Sequence, residues 1–324
     1  MLKKPRQIDH ENLWNRLARD LIYDAKQVLL YCGVTVPASK GSGDRDDYAE
    51  IIERTTKGTE YGAIYDPATR RIHFEPGYIQ NIVDQAYRFD FPIFDKSFGP
   101  GGIAGFIHDE DGDHFELKAP DLNHILKQAM IAKNHEMPFA FVSARQLGQY
   151  EIEQFEITSN IFDGPMFFNV AKETGVAEAE KFQADGRFLT TKATIFTSPL
   201  TLSFKKNIDI FVQCVAQRIP VMLVTQPFSG QNGPMTPYGI ALLAFAEFLA
   251  AMAMAFAINP DTKIINGAYP TMCTPGRNPQ LKIGSMVHNF TNYLIAYTSR
   301  LLDIASIQSG CTIEGQVHKQ ELLE

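Results

Sequence analysis

The chain has 324 residues, of which 45% are hydrophobic and 21% charged, so it is long enough for a large core or for two domains. Its formal net charge of -7 is not gathered into acidic or basic blocks, which disfavours nucleic acid and anionic lipid as partners. The charged first residues lead into polar residues, not into the apolar core of a signal peptide, so we predict a cytoplasmic protein.

The beginning of the sequence predicts a small α+β region over residues 1–96. Apolar residues at helical spacing predict a helix over residues 9–36, which ends at the turn "YCGVTVP". A second helix around "DYAEIIERTT", two alternating strands in "AIYDPATRRIHFEP" and a helix over "GYIQNIVDQAY" are expected next. We expect this region to cap the part of the chain that follows.

Over residues 97–324, short β-like runs alternate with amphipathic helices. The runs are "SFGPGGIAG", "FAFVSAR", "MFFNVAK", "TIFTSPL", "VMLVTQ", "KIINGAY" and "ASIQSG". This alternation predicts a parallel sheet with crossover helices, either doubly wound or closed as a TIM (β/α)8-type barrel, and we prefer the barrel. About seven strands are found where eight are needed, so we predict an incomplete barrel that lacks its C-terminal strand and helix.

The barrel is preferred because several of the runs lead to a small polar residue followed by proline. The pairs are Ser198-Pro199, Thr236-Pro237 and Asn278-Pro279. A small polar N-cap residue followed by proline favours the start of a helix. A helix that starts at the carboxyl end of a strand begins on the face where barrels carry their active sites.

Two local patterns resemble nucleotide or metal sites without the context that such sites need. "FGPGGIA" has the spacing of a dinucleotide loop, but the hairpin-like "GFIHDEDGDHFELKA" follows it where a helix is required. The acidic "DEDGDHFE" has its glycine at the wrong position for a calcium loop. The eight histidines form no ligand pair and the four cysteines lie far apart, so we predict reduced thiols and no metal site.

Aromatic residues near the predicted strand ends indicate a pocket. They are Phe98, Phe168, Phe196, Phe228 and Tyr269. Aromatic residues in strands also occur as ordinary core residues. If these residues lie together at one mouth of the barrel, their faces would bind a quaternary ammonium group. Helix N-termini at Thr236 and Asn278 would add donors for an anionic group. A zwitterion such as a betaine satisfies both conditions.

Residues 240–258 are nearly all apolar, and Glu247 interrupts them. A carboxylate in mid-span favours a helix buried inside a protein over a membrane-spanning helix. Buried acids occur mostly paired with a basic residue or at functional sites. Both interpretations of Glu247 stay open at this stage.

The later part of the sequence resembles the trimethylamine:corrinoid methyltransferase (MttB) superfamily, from "TSPLTLS" through "QPFSGQNGPMTPYGIALLAFAEFLAAMAMAFAINPDTKIINGAYPTM" to "IGSMVHNFTNYLIAYTSRLLDIASIQSGCTIEG". "GVTVP", "AIYDPATRRIHFEPGYIQNIV" and "FGPGGIAGFIHDEDGDHFELKAPDLNHIL" fit its amino-terminal half in the same order. The resemblance implies a TIM barrel that moves a methyl group from a methylated amine to the Co(I) of a separate corrinoid protein. No cofactor is then expected in this chain itself.

The resemblance also implies site residues. Thr312 occupies the position of the family's pyrrolysine, which resembles the branch that acts on quaternary amines such as glycine betaine. Glu314 keeps an acidic role close to it, and Glu247 matches a helix position of the family. Gln316 and Gln280 stand where the family carries lysine and glutamate.

The sequence therefore predicts a methyltransferase that acts on a quaternary amine. The predicted catalytic residues are Glu247, Glu314 and Thr312. The predicted substrate-binding residues are Phe98, Phe228, Tyr269, Ser229, Gln231 and Thr236. The alternatives are an inactive family member that binds a small zwitterion or a partner protein, and an unrelated barrel hydrolase or lyase. The expected partners are the corrinoid (cobalamin) protein, a methylated amine, and either a second copy of the chain or a completing C-terminal half.

Overall fold

The structure is a computed structural model that describes most of the chain. The described residues are 10–38, 47–57, 62–86, 107–108, 117–118, 121–137, 139–142, 150–170, 172–185, 189–273 and 285–308. They form a mixed α/β structure with two five-stranded sheets and a two-stranded hairpin. The predicted α/β class is confirmed, whereas the strands within these residues do not close into a barrel.

The N-terminal region contains helices and short strands in the predicted order. They are α1 (His10–Tyr31), β1 (Val34–Thr35), α2 (Ala49–Thr56), β2 (Ala63–Asp66), β3 (Arg71–Phe74) and α3 (Pro76–Ala86). The turn between β2 and β3 follows from its sequence, because the Asp66 carboxylate accepts hydrogen bonds from the Ala68 amide at 2.9 Å and the Thr69 hydroxyl at 2.7 Å. The predicted helices and strand pair of this region are confirmed.

The later described residues alternate between strands and helices. They form β4 (Ile107–His108), β5 (Leu117–Lys118), α4 (Leu122–Asn134), β6 (Ala140–Val142), α5 (Glu151–Ile161), β7 (Met166–Phe168), α6 (Glu173–Ala184), β8 (Leu189–Ala193), β9 (Phe196–Thr197), β10 (Thr201–Leu202), α7 (Lys205–Ala216), β11 (Val221–Leu223), α8 (Pro237–Ile258), β12 (Ile264–Asn266) and α9 (Met286–Leu301). Strands β4 and β5 pair antiparallel, which confirms the predicted hairpin.

The central sheet has the strand order β12-β11-β8-β7-β6, and every pair in it is parallel. A parallel bridge between Asn266 and Ser306 adds the start of a further strand beside β12. Consecutive strands of this sheet are therefore neighbours in space. Parallel neighbours need crossover connections, and the helices α5 to α9 supply them.

The two faces of the central sheet have different surroundings. One face packs into the main core with the helices, through Ala140, Met166, Phe168, Leu189, Val221, Leu223 and Ile264. The opposite face, which we call the inner face, carries a separate cluster of Phe139, Phe167, Met222, Val224 and Ile265. No residue of a described helix belongs to this second cluster. The helices that we can describe therefore cover one face, as the alternation of strand side chains allows.

The second sheet joins the N-terminal region to the rest of the protein. Its order is β2-β3-β1-β10-β9, and β1 pairs with β10 in parallel through Thr35 and Thr201. The hydroxyl of Tyr48, just before α2, also donates to the carbonyl of Ser203 at 3.0 Å. Strands from both sides of the predicted boundary at residue 96 thus share one sheet. The division into a cap and a barrel stays a prediction.

Two details of the sequence interpretation are wrong. The run "TIFTSPL" does not form a strand of the central sheet, because that place is taken by β8, "LTTKA". Ser198-Pro199 does not start a helix but forms the turn between β9 and β10, and α7 begins later at Lys205. Small polar residues followed by proline favour turns as well as helix starts, so the pair alone does not distinguish them.

Helix α8 is deeply buried, with 16 of its 22 residues in the protein interior. Among the described helices only α8 is long and apolar enough to cross a membrane, and 89% of its most apolar stretch is buried inside the protein. It starts as predicted, because Thr236 caps it by accepting a hydrogen bond from the Gly239 amide at 3.1 Å, with Pro237 in the first turn. A helix that is apolar on all sides is typical of a protein core.

Candidate active site

The chain segments after β11 and β12 stay paired beyond the carboxyl edge of the central sheet. The Tyr269 amide donates to the Thr225 carbonyl at 2.7 Å, and the Thr271 amide donates to the Pro227 carbonyl at 3.0 Å. The Ser229 amide donates to the Thr271 carbonyl at 2.9 Å. These hydrogen bonds hold together the two loops that carry most of the predicted site residues.

The loop after β11 closes in a tight turn. The Phe228 amide donates to the side-chain oxygen of Asn232 at 2.6 Å. Gly230 has a φ of +75°, and a Cβ added there would lie 2.7 Å from the sulfur of Met235. The positive φ favours glycine at this position, and a larger residue would also have to displace the Met235 side chain. The turn accounts for the Gly and Asn residues of this loop without a phosphate ligand.

Phe228 and Tyr269 are half-buried on these paired loops. Tyr269 follows Ile265 by four residues, and Phe228 follows Val224 by four residues. Because alternate residues share a face and the pairing continues past the strands, both aromatics are in register with the inner-face cluster. The structure thus brings two of the predicted aromatic residues to one edge of the sheet.

His288, in the first turn of α9, supports the ring of Tyr269. The two ring centroids are 5.3 Å apart at an interplanar angle of 68°. His288 is fully buried, and this burial lowers the pKa of its imidazole, although a hydrogen bond to the Pro270 carbonyl opposes the change. The imidazole is therefore neutral near pH 7. No positive charge from His288 then lies behind the Tyr269 ring.

A second side chain of α9 holds the loop after β12. The amide nitrogen of Asn292 donates to the Pro270 carbonyl at 3.3 Å and to the His288 carbonyl at 2.9 Å. Its side-chain oxygen is buried and has no hydrogen-bond partner among the described residues. Because Pro270 follows Tyr269 directly, these contacts fix the backbone that carries the aromatic ring.

The three predicted polar residues of the first loop differ in their surroundings. Ser229 is fully buried, and its hydroxyl oxygen lies 3.9 Å from the sulfur of Met235. Gln231 is exposed at the turn. Thr236 is exposed, and its hydroxyl caps α8 through the Gly239 amide. Ser229 and Thr236 therefore have structural contacts of their own, whatever they contribute to binding.

Glu247 lies in the middle of α8 and is fully buried. Its carboxylate accepts hydrogen bonds from the Ser198 hydroxyl at 2.9 Å and from the Leu200 amide at 2.8 Å. Burial raises the pKa of Glu247 to about 7, although both hydrogen bonds oppose the rise. Its partners are thus a hydroxyl and an amide of the β9–β10 turn, not the Arg or Lys that the sequence interpretation considered.

Lys192 of β8 is a charged residue of this region that the sequence interpretation missed. The neighbouring Thr191 lies on the helix side of the sheet, where it hydrogen-bonds with the Cys214 thiol of α7. Lys192 therefore belongs to the inner face, and it is half-buried there. The polar residues at alternate positions 190, 192 and 194 were the available signal, because they are typical of a strand with one polar face.

The other predicted residues are either in the core or outside the described part of the chain. Phe168 and Phe196 are core residues with exposed fractions of 3% and 6%. Phe98, Thr312 and Glu314 lie outside the described residues. Within the described residues, no group of three or more His, Cys, Asp and Glu side chains is placed to hold a metal ion.

Comparison with known families finds one match to part of the chain. The family model of trimethylamine methyltransferase (MTTB) matches residues 174–300. This match supports membership of the MttB superfamily. The matched part of the chain begins in α6 and ends in α9, so it includes β8 and both loops of the candidate site. The family is one of methyltransferases, which supports transferase activity here, and no curated protein matches the chain.

Proposed function

We propose that this MttB-superfamily protein transfers a methyl group from a quaternary amine, such as glycine betaine, to a corrinoid carried by a separate protein. The observation that carries the proposal is the position of Phe228 and Tyr269 at one edge of the sheet, within the segment that matches the methyltransferase family. Aromatic faces attract quaternary ammonium groups through the ring quadrupole.

We also propose that the central sheet is part of a TIM (β/α)8-type barrel. Its parallel strands follow one another in chain order, which supports a barrel over the doubly wound order with its switch point. The described helices lie on one face, and the inner face has a small core of its own. In such barrels the carboxyl ends of the strands carry the active site, where Phe228 and Tyr269 are found.

The electrostatics of the site support a cationic methyl donor. His288 behind Tyr269 is neutral at pH 7, so it does not repel a bound ammonium group. Methyl transfer breaks an N–CH3 bond, whose electron pair stays on nitrogen, and the cation becomes a neutral tertiary amine. The reduced corrinoid of the partner supplies the electron pair for the new bond to the methyl group. This chain would position the donor and exclude water.

The remaining site assignments rest on the family resemblance. Thr312 and Glu314 are proposed to line the end of the site where the methyl group leaves, and Phe98 to complete the aromatic pocket. Gln231 is proposed to offer a polar contact from the exposed turn. Glu247 contacts the β9–β10 turn, so we assign it a positioning role through that turn.

We propose a cytoplasmic location for the protein. Cys32, Cys214 and Cys273 are free thiols, and free thiols persist in reducing compartments. A reduced corrinoid also needs a reducing compartment.

The function is tested by incubating the protein with glycine betaine and its corrinoid protein in the Co(I) state while the cobalt absorption spectrum is followed. We expect methyl-Co(III) to form. Tyr269→Leu should lower kcat/KM about tenfold, because a cation–π contact in a desolvated site is worth roughly 1–2 kcal/mol. Tyr269→Phe keeps the aromatic face and is the matched control, which should stay near the wild-type value.

Two results would count against this proposal. A cobalt spectrum that stays unchanged with glycine betaine and with other betaines would exclude the methyl transfer. Binding of glycine betaine in calorimetry without any methyl transfer would favour the alternative of an inactive member that binds a zwitterion.

A further inference from the structure

A basic side chain marks the boundary between the buried inner face and the open edge of the central sheet. Thr190, two residues before Lys192 on the same face, is fully buried, and its hydroxyl has no hydrogen-bond partner among the described residues. Lys192 itself is half-buried, and Thr194 beyond it is exposed. The flexible four-carbon stem of Lys192 therefore allows its ammonium group to reach the carboxyl edge.

The side chains that neighbour Lys192 across the inner face are apolar. Met222 pairs in register with Lys192, and Phe167 pairs with Thr190. Both Met222 and Phe167 belong to the inner-face cluster, together with Ile265. Less water reaches a charge beside such a cluster, so the attraction between the Lys192 ammonium and an anion is screened less than at the surface.

Strand register relates the backbones of Lys192 and Tyr269. Met222 pairs with Lys192 on one side and with Ile265 on the other, and Tyr269 follows Ile265 by four residues. At about 3.3 Å per residue, the Tyr269 backbone lies roughly 13 Å further along the strand direction than the Lys192 backbone. The lysine stem spans part of this separation.

We propose that Lys192 binds the carboxylate of the methyl donor while Tyr269 faces its quaternary ammonium group. This inference rests on the proposed function. A carboxylate accepts a charge-assisted hydrogen bond from the lysine ammonium, and an alcohol gains less from the same contact. Lys192 then selects betaines over quaternary amines without a carboxylate. It acts as a specificity-determining residue and not in the methyl transfer itself.

Calorimetry on the protein alone tests this role with two ligands, glycine betaine and choline, which share the trimethylammonium group. For the wild type, the Kd for glycine betaine should be at least about tenfold lower than that for choline. Lys192→Gln should raise the Kd for glycine betaine about tenfold or more and change that for choline less than about twofold. Lys206→Gln removes an exposed lysine from the start of α7 and is the matched control, without effect on either Kd.

The outcomes separate this inference from the proposed function. If Lys192→Gln binds glycine betaine as tightly as the wild type, the role of Lys192 is excluded while the proposed function stands. If the wild type binds neither ligand, the proposed function fails and this inference fails with it. If Lys192→Gln does not fold, Lys192→Arg is used in its place because it keeps the charge. The wild type alone also tests the proposal, since equal Kd values for glycine betaine and choline would overturn it.

Discussion

The buried carboxyl group of Glu247 makes the stability of the fold depend on pH. Its pKa is raised from 4.5 in the unfolded chain to about 7 in the folded protein, because burial disfavours the charged form. Between these pH values the folded protein holds a proton that the unfolded chain has released. The free energy of unfolding therefore decreases as the pH rises from about 4.5 to about 7.

We predict that Glu247→Gln removes this dependence. Each pKa unit corresponds to about 1.4 kcal/mol. The free energy of unfolding of the wild type should therefore fall by about 2 kcal/mol or more between pH 5 and pH 8, relative to that of the variant. Urea unfolding at both pH values measures it. Glu247→Ala is the control, because it leaves the Leu200 amide without its acceptor and should destabilise the fold at either pH. An equal difference at both pH values would show that Glu247 does not titrate in this range.

Individual site residues were predictable from the sequence only where their chemistry is unusual for their position. Glu247 stands out as a carboxylate in an apolar helix, and its burial is confirmed. Its partners, Ser198 and Leu200, could not be predicted, because they lie 47 to 49 residues away along the chain. Lys192 was missed because β8 contains several polar residues, so its sequence does not resemble that of a buried strand.

The start of α8 depends on its N-cap. The Thr236 hydroxyl satisfies the Gly239 amide at 3.1 Å, so Thr236→Ala should lower the free energy of unfolding by about 1 kcal/mol. Thr236→Ser keeps the acceptor and should stay close to the wild type. Thermal or urea unfolding of both variants measures this. The same two variants show whether Thr236 also binds substrate, because a role limited to capping predicts an unchanged Kd for glycine betaine.

At the scale of elements, the sequence predicted those whose signal is local. Helix α1 and the β2–β3 pair follow from periodicity and from the turn around Asp66, and both are confirmed. The β9–β10 pair was not predicted, because it depends on pairing with β1, more than 160 residues earlier in the chain. A short run such as "TIFTSPL" has the same local pattern in either sheet.

The single tryptophan of the chain reports on how the N-terminal region is attached. Trp14 of α1 packs against Phe290 and Tyr293 of α9, with ring centroids 5.4 and 4.7 Å apart. Because α1 also packs on α8 and the second sheet is shared, we expect one cooperative unfolding transition. Tryptophan fluorescence and far-UV circular dichroism should give the same midpoint in urea.

A core substitution in the N-terminal region sharpens this test. Ile72 of β3 is fully buried, so Ile72→Ala should lower the free energy of unfolding by about 2–5 kcal/mol. Both signals should move to lower urea concentration by the same amount. Two separate transitions, of which Ile72→Ala shifts only one, would instead support the predicted boundary at residue 96 as a boundary between independent domains.

The burial of α8 has a consequence for the synthesis of the protein. Among the described helices that pack on α8, α1, α2, α3 and α7 come earlier in the chain and α9 comes later. N-terminal segments emerge first from the ribosome, so most of the surface that covers α8 has been made before α8 appears. The order of the helices along the chain therefore shortens the time for which a segment resembling a membrane span is accessible to the insertion machinery.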